Sequence, residues 1–359
     1  MFSNGHRRLS AWPGAPLAIA SAALFGASTP LAKLLLGSGV SPWLLAGLLY
    51  LGSGTGLGLL QIGRMIAGRP PAEASLTRAD LSWLVLVVAI GGVLGPVLLM
   101  IGLSATPASS AALLLNLEGL ATMAIAWIVF RENVDRRLLI GAFAILAGAL
   151  LLSWQGATEG LGIGALAIAG ASTAWGIDNN LTRKLSSADP AQIAMIKGLA
   201  AGFTNLLLAI VVGAHLPSPG IVGGAAVVGF FGYGVSLVLF VRALRHLGTA
   251  RTGAYFSTAP FIGALLALAM LHEPLTACLV IAGSLMALGL YLHLTEAHVH
   301  EHTHEAMEHE HRHVHDEHHQ HQHGPNDPPG EPHTHWHRHE PLTHKHPHYP
   351  DLHHRHGHA

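Results

Sequence analysis

Histidine and carboxylate offer the most chemistry in this chain, and the sequence distributes them unevenly. The stretch HVHEHTHEAMEHEHRHVHDEHHQHQH runs from His298 to His323, and a second histidine-rich stretch follows it to the C-terminus. Imidazole nitrogen is a good ligand for zinc, nickel, copper and cobalt. Alternate residues of an extended chain share one side, so a flexible segment can gather several imidazoles around one ion. The candidate ligands are His298, His300, His302, His304, His309, His311, His313, His315, His318, His319, His321, His323, His333, His335, His337 and His339. Several exchangeable sites for divalent transition metals are expected, in preference to one fixed tetrahedral site. The other reading is a pH-dependent charged appendage, since imidazole titrates at about pH 6.5.

A second set of polar residues lies in apolar surroundings. Glu118 stands in LLLNLEGLATM, Asp178 and Asn179 in WGIDNNLTRK, and Lys197 in AMIKGLAAGFTN. A charge at the middle of a bilayer costs about 2.5–3.5 kcal/mol, so each needs a reason. Glu118 reads as a titratable carboxylate on a transport pathway, or as one paired with a helix neighbour or kept protonated. Asn116, a further pathway candidate, lies two residues earlier, about 200° around a helix, and points to a different face. Asp178, Asn179 and Asn180 either line the pathway or cap a helix end. Trp175 is a binding-site aromatic or an interfacial anchor. Lys197 either snorkels to water along its apolar stem or pairs with Asp178 or Glu118. Asn205 is expected to make an interhelical hydrogen bond. Tyr255, one turn after Arg251, is a weaker pathway candidate, and Arg251 reads as a topology determinant.

These residues sit in apolar runs of about 20 residues, each long enough to cross ~30 Å of hydrocarbon. Ten are read: 16–36, 42–63, 81–103, 107–130, 137–154, 160–182, 191–213, 220–241, 252–271 and 275–294. The expected fold is an all-α polytopic membrane protein embedded in the lipid bilayer. Composition changes abruptly near residue 295. Beyond it lie 23 of the 28 histidines and 11 of the 20 acidic residues. That tail, 295–359, has too little apolar surface to offset its ordering entropy and is expected to be disordered. The N-terminus, 1–15, carries Arg7 and Arg8 before an apolar run that resembles a signal peptide. The run continues through Leu36, so an uncleaved first span is expected. The single cysteine, Cys278, excludes an internal disulfide.

Basic residues mark alternate connections. Arg64, Arg69, Arg78, Arg131, Arg136, Arg137, Arg183, Lys184, Arg242, Arg245 and Arg251 fall on one side, whereas the connections near 104–107, 155–160, 214–219 and 272–274 have no Lys or Arg. Under the positive-inside rule this puts both termini, and the tail, in the cytoplasm. A bacterial chain would sit in the inner membrane. Lys33, near the outer end of the first span, is the exception.

The apolar part reads as two halves, 16–154 and 160–294. FRENVDRRLLIGAFAILAGALLL from Phe130 parallels LHEPLTACLVIAGSLMALGLYL from Leu271, placing Glu132 and Glu273 at equivalent positions. LFGASTPLAKLL from Leu24 parallels AWGIDNNLTRKL from Ala174. Five spans is an odd number, so the second copy enters the membrane inverted, as the charge pattern also requires. Two inverted five-helix repeats are a signature of secondary transporters. The ten spans, the Phe25-Gly26 and Trp175-Gly176 pairs and the two glutamates resemble the EamA-type permeases of the drug/metabolite transporter superfamily. The resemblance covers about residues 15–295 and implies export of a small-molecule metabolite or drug, coupled to an ion gradient. The tail is no part of that pattern.

No phosphate-binding Gly-Lys-Ser/Thr loop, zinc-protease motif or catalytic spacing occurs. No enzyme, no required cofactor and no nucleic-acid partner is expected. The spans contain few metal ligands beyond His246 and His272 at span ends and His293 inside one. The leading expectation is therefore a secondary transporter with a metal-binding cytoplasmic tail. The alternatives are a nickel, cobalt or zinc exporter that collects metal on the tail, and a non-transporting membrane metal sensor. Gly52 and Gly56, or Gly54 and Gly58, have the spacing for close helix approach, which would permit a homodimer. Pro30 and Pro96 are expected to kink their spans and expose backbone carbonyls.

Overall fold

The computed structural model describes residues 14–68, 76, 78–130, 136–154, 161–182, 185, 189–247, 249–295, 298–304, 307–313, 333–339 and 342–348. Among them, nine helices are long and apolar enough to cross a membrane: span 1 (Gly14–Gly37), span 2 (Pro42–Ile66), span 3 (Leu81–Ala105), span 4 (Ala108–Val129), span 5 (Arg136–Ser153), span 7 (Ala191–Val211), span 8 (Pro219–Ala243), span 9 (Thr252–Leu271) and span 10 (Ala277–Leu294). The helix Ile163–Thr182 fills the place of span 6. It is the least apolar because it carries the polar run from Trp175 to Asn180. The chain is a multi-pass membrane protein. Large apolar residues such as Ile66, Phe143 and Val211 are exposed, while Ser21, Asp178 and Asn205 are buried. That distribution suits a bilayer, where apolar side chains face lipid and polar ones turn inward.

Four spans depart from the regular α-helix. Spans 3 and 8 each contain a π-helical turn, Val88–Leu94 and Phe230–Val235. Spans 4 and 9 are broken, the first between Ala108–Leu114 and Leu117–Phe130 and the second between Thr249–Phe256 and Ala259–Leu271. Such interruptions free main-chain groups, which then need partners inside the protein. Pro96 lies two residues after the π turn of span 3 and has no N–H to return to the preceding turn.

Packing joins distant parts of the chain. Span 2 lies on span 7 and span 5 on span 10, while spans 3 and 4 pack on span 6 and spans 8 and 9 pack on span 1. Lipid supplies no hydrophobic drive for this association, so close approach at small residues does the work. A Cβ on Gly47 or Gly54 would meet the span 7 backbone at Leu206 or Leu199, and one on Gly198 or Gly202 would meet span 2. Gly52 and Gly56 lie against Ala226 and Phe230 of span 8. These glycine faces are thus used within one chain, not left open for a second copy.

Lys33 and Glu273 hold the short link between spans 3 and 4. The Lys33 ammonium donates to the carbonyls of Leu103 (2.6 Å), Ser104 (3.3 Å) and Thr106 (2.9 Å). The Glu273 carboxylate accepts from the Ala108 N–H (2.6 Å) and the Ser109 N–H (2.9 Å). Cations favour helix C-termini and anions N-termini, so each charge sits at the matching helix end. This explains why Lys33 breaks the charge pattern. Its role is to satisfy the end of span 3.

The region from Glu296 onward is a separate compact unit. Four segments of it are extended: β1 (His298–His304), β2 (Met307–His313), β3 (His333–His339) and β4 (Leu342–His348). β1 pairs with β4 and β2 with β3, both antiparallel. The histidine alternation has the period of a strand. Two-stranded ladders without a third strand are at best marginally stable in water. The N-terminal arginines Arg7 and Arg8, Glu132, Arg183, Lys184, the Arg251 side chain, and His315, His318, His319, His321 and His323 lie outside the described residues.

Candidate substrate site

The interrupted turn of span 3 is the hub of a polar cluster. The Gly91 carbonyl accepts from the Trp175 indole (3.0 Å) and the Tyr50 hydroxyl (3.2 Å), and the Gly92 carbonyl accepts from the Asn205 amide (3.2 Å). Spans 2, 6 and 7 thus each supply a donor to main-chain carbonyls of the π turn that precedes Pro96. The interhelical bond expected of Asn205 is this one. Gly91 is small for a reason, because a Cβ there would overlap the Asp178 carboxylate.

Asp178 is buried and forms an ion pair through Oδ2 with Lys197 on span 7, whose side chain is 17% exposed. Of the two readings open for Lys197, the structure takes the ion pair. Asp178 Oδ1 is buried with no hydrogen-bond partner. The next residue, Asn179, donates to Glu118 Oε1 (3.0 Å) and to Thr122 Oγ1 (3.2 Å). Asn180 donates to the carbonyls of Gly176 (2.8 Å) and Thr122 (3.2 Å). Glu118 occupies the first turn after the break in span 4, which lets its carboxylate reach span 6.

Five of the residues singled out in the sequence therefore meet: Glu118, Trp175, Asp178, Asn179 and Lys197. Trp175 is buried and serves as a donor in the cluster. Two others do not join. Asn116 bonds back to the Leu113 carbonyl (2.8 Å) and faces Met286 Sδ of span 10 (3.9 Å). Tyr255 is exposed, and its ring takes part in no aromatic pair among the described residues.

The sequence reading missed an aromatic row that continues the site. Tyr50 lies against Tyr233 (ring centroids 5.6 Å apart), Tyr233 against Phe25 (5.9 Å), Phe25 against Phe256 (5.4 Å), and Phe256 against Phe240 (4.9 Å). These spacings are typical of favourable edge and tilted contacts. Only Phe25 carried a signal, as the partner of Trp175 in the paired Phe-Gly and Trp-Gly dipeptides. The glycines of those dipeptides also match. Gly26 lies against Ala259 and Gly263 of span 9, and Gly176 against Ala121 and Thr122 of span 4. No group of three or more His, Cys, Asp or Glu side chains placed to hold a metal ion occurs among the described residues.

The EamA-like transporter family domain matches this chain twice, over residues 12–154 and again over 162–295. A protein of Methanothermobacter thermautotrophicus described as an uncharacterized transporter is 28% identical over 228 residues, covering 62% of this chain and 66% of its own length. The uncharacterized transporter YyaM of Bacillus subtilis is 24% identical over 223 residues, covering 57% of this chain and 72% of its own. This chain thus spans just under two thirds of the length of the first relative. A protein of known crystal structure superposes with a TM-score of 0.58 at 20% identity, over 79% of this chain and 96% of its own. That likeness is one of fold.

Proposed function

The chain belongs to the EamA-like transporter family, and on that premise we propose that it is a secondary transporter of the drug/metabolite type. In this reading its two domain copies are inverted five-helix repeats that alternate access to the cluster around Gly91, with both termini in the cytoplasm. The observation that carries it is the placement of one ion pair, one further carboxylate and one unsatisfied carboxylate oxygen beside the interrupted turn of span 3. Interrupted transmembrane helices of inverted-repeat transporters build midplane substrate sites in this way. Asp178 Oδ1 offers an acceptor for a donor group on a small organic solute, while Trp175, Tyr50 and Tyr233 supply apolar and aromatic wall. Glu118 pairs with the neutral amide of Asn179 and is the group assigned to carry a coupling proton.

The tail adds a metal-holding function. In the paired segments His309 stands opposite His337, His311 opposite His335 and His313 opposite His333. His298, His300 and His302 stand opposite His348, His346 and His344. Imidazole is a good ligand for transition-metal ions, and the register repeats it along both paired segments. The second reading, in which nickel, cobalt or zinc is itself the cargo, takes this tail as the collector.

Both readings are tested in cells expressing the full chain, a chain ending at Leu294, and Glu118→Gln. Efflux is followed for a panel of amino acids, amines and nucleosides, together with nickel, cobalt and zinc tolerance. The expected result is organic-solute flux that survives the truncation and is lost in Glu118→Gln. Metal tolerance that collapses in both variants would establish metal as cargo. Flux of nothing by the full chain would sink the transporter reading.

A further inference from the structure

We propose that the histidine-rich unit is a two-stranded ribbon stapled by transition-metal ions, one in each ladder, so that metal binding and strand pairing are a single event. The inference rests on the metal-holding reading of the tail above and adds where the ions sit and what they do to the chain. The two ladders keep one register. The first ends with His304 opposite Leu342 and the second begins with Met307 opposite His339, so two residues lie between them on either strand. Across that interval the histidine alternation slips by one residue on both strands. His304 and His309 are five residues apart, and so are His339 and His344, whereas the spacing within each segment is two. A one-residue slip moves a whole strand pattern to the other face. Had it occurred on one strand only, one ladder would set histidine against Glu, Thr, Lys or Pro. Because both strands slip together, three histidine–histidine pairs stand in each ladder.

The positions between the histidines are filled differently. Successive residues of a strand belong to opposite faces, so the histidines of each ladder share one face while Glu301, Glu308 and Glu310 take the other. There Glu301 stands opposite Lys345 and Glu308 opposite Arg338, and opposite charges in direct register support the pairing. The histidine face is thus one of nitrogen donors without carboxylate. Magnesium and calcium take oxygen ligands, whereas zinc, nickel, copper and cobalt accept imidazole. In the outer ladder His300 and His302 stand opposite His346 and His344, and in the inner one His309 and His311 stand opposite His337 and His335. Each set of four bounds a patch about 7 Å along the strand and about 5 Å across it, and four ligands complete a tetrahedral zinc shell. No ready-made group of three ligands occurs among the described residues, and a two-stranded ladder is marginal without a staple. Each lack is met by the other partner, the ion closing the strands and the register gathering its ligands, as in small domains that fold on binding metal.

The test uses the full chain in lipid nanodiscs in a Cys278→Ser background. Spin labels on Thr303→Cys and Thr343→Cys report the outer ladder, and labels on Glu310→Cys and Trp336→Cys report the inner one. Both pairs are directly opposed and off the histidine face. Close approach is read as dipolar broadening of the resonance spectrum with zinc, magnesium or a chelator added. Zinc is expected to broaden both pairs, and magnesium and chelator neither. Deleting Ala306 keeps every histidine and sets β1 one residue out of step with β4, so the outer pair should lose its zinc-induced broadening while the inner pair keeps it. Deleting Pro341 as well restores the match, and the broadening should return. A spectrum that zinc never broadens, or one that responds equally with and without Ala306, overturns the ribbon. Zinc retained per chain, compared with a chain ending at Leu294, separates the two levels. Zinc held with no dependence on register leaves a metal-binding tail and no ribbon, and no zinc held sinks both.

Discussion

Span 1 and span 6 occupy equivalent places in the two domain copies and carry different chemistry. Each presents an aromatic-glycine pair, and each packs its glycine on a broken span, Gly26 on span 9 and Gly176 on span 4. Each also touches a span with a π turn, span 1 that of span 8 and span 6 that of span 3. Beyond that framework they diverge. Span 6 offers Trp175, Asp178 and Asn179 to a lysine and a glutamate. Span 1 offers Phe25 to a row of aromatic rings and Ser28 to its own helix, through the Phe25 carbonyl at 2.6 Å. The small residues and interrupted turns that shape the scaffold recur in both copies. Of the two spans, only span 6 brings an ionisable residue to the polar cluster, Asp178, which is joined there by Lys197 of its own copy and Glu118 of the other.

That contrast can be broken most forcefully at the ion pair. Lys197→Met leaves the Asp178 carboxylate buried without its cation, and removing one partner of a buried pair costs about 3–5 kcal/mol. A large drop in melting temperature in detergent is expected, with most of it recovered in Asp178→Asn/Lys197→Met. Full stability in the single variant would show that the pair is not what holds spans 6 and 7 together. The glycines of the two π turns give a smaller and more pointed comparison. Gly91→Ala places a methyl on the Asp178 carboxylate, while Gly232→Ala meets the Ser28 side chain. Overpacking costs about 1–3 kcal/mol, with Gly91 expected at the upper end and Gly232 at the lower, read from thermal unfolding of the two variants side by side. Equal losses would erase the proposed asymmetry. The smallest effects belong to the aromatics. Trp175→Phe removes one hydrogen bond to Gly91 while Tyr50 still serves that carbonyl, so about 1 kcal/mol is expected. Phe25→Leu keeps volume and loses ring contacts, for about 0.5 kcal/mol. Denaturation midpoints in the same detergent check this order.

The spans were legible because each needs about 20 apolar residues in a row, a signal carried by neighbours in sequence. Observed and expected limits differ by only a few residues. Glu118, Asp178 and Lys197 were legible for the opposite reason, as charges where lipid forbids them without cause. What escaped depends on partners far away in the chain. Tyr50 looks like one more large side chain in an apolar run until Gly91 appears beside it. Lys33 read as an anomaly of topology because its carbonyl partners lie about 70 residues later. Asn116 read as a pathway residue, yet the break in span 4 turns it toward span 10. The helical period alone separates it from Glu118 and names no partner for either.

The reciprocal serine contact between spans 1 and 8 carries a consequence for how the protein is made. Ser21 donates to the Ser236 carbonyl at 2.7 Å and Ser236 to the Ser21 carbonyl at 3.1 Å, across a separation of 215 residues. At ~5–20 residues per second of synthesis, span 1 waits roughly 10–40 s in the bilayer before its partner exists. Throughout that interval its hydroxyls and its glycine notch must face lipid or a borrowed neighbour. The first helix to enter the membrane is thus among the last to find its place, and a chain cut short before span 8 would leave it permanently unmatched for membrane quality control to find.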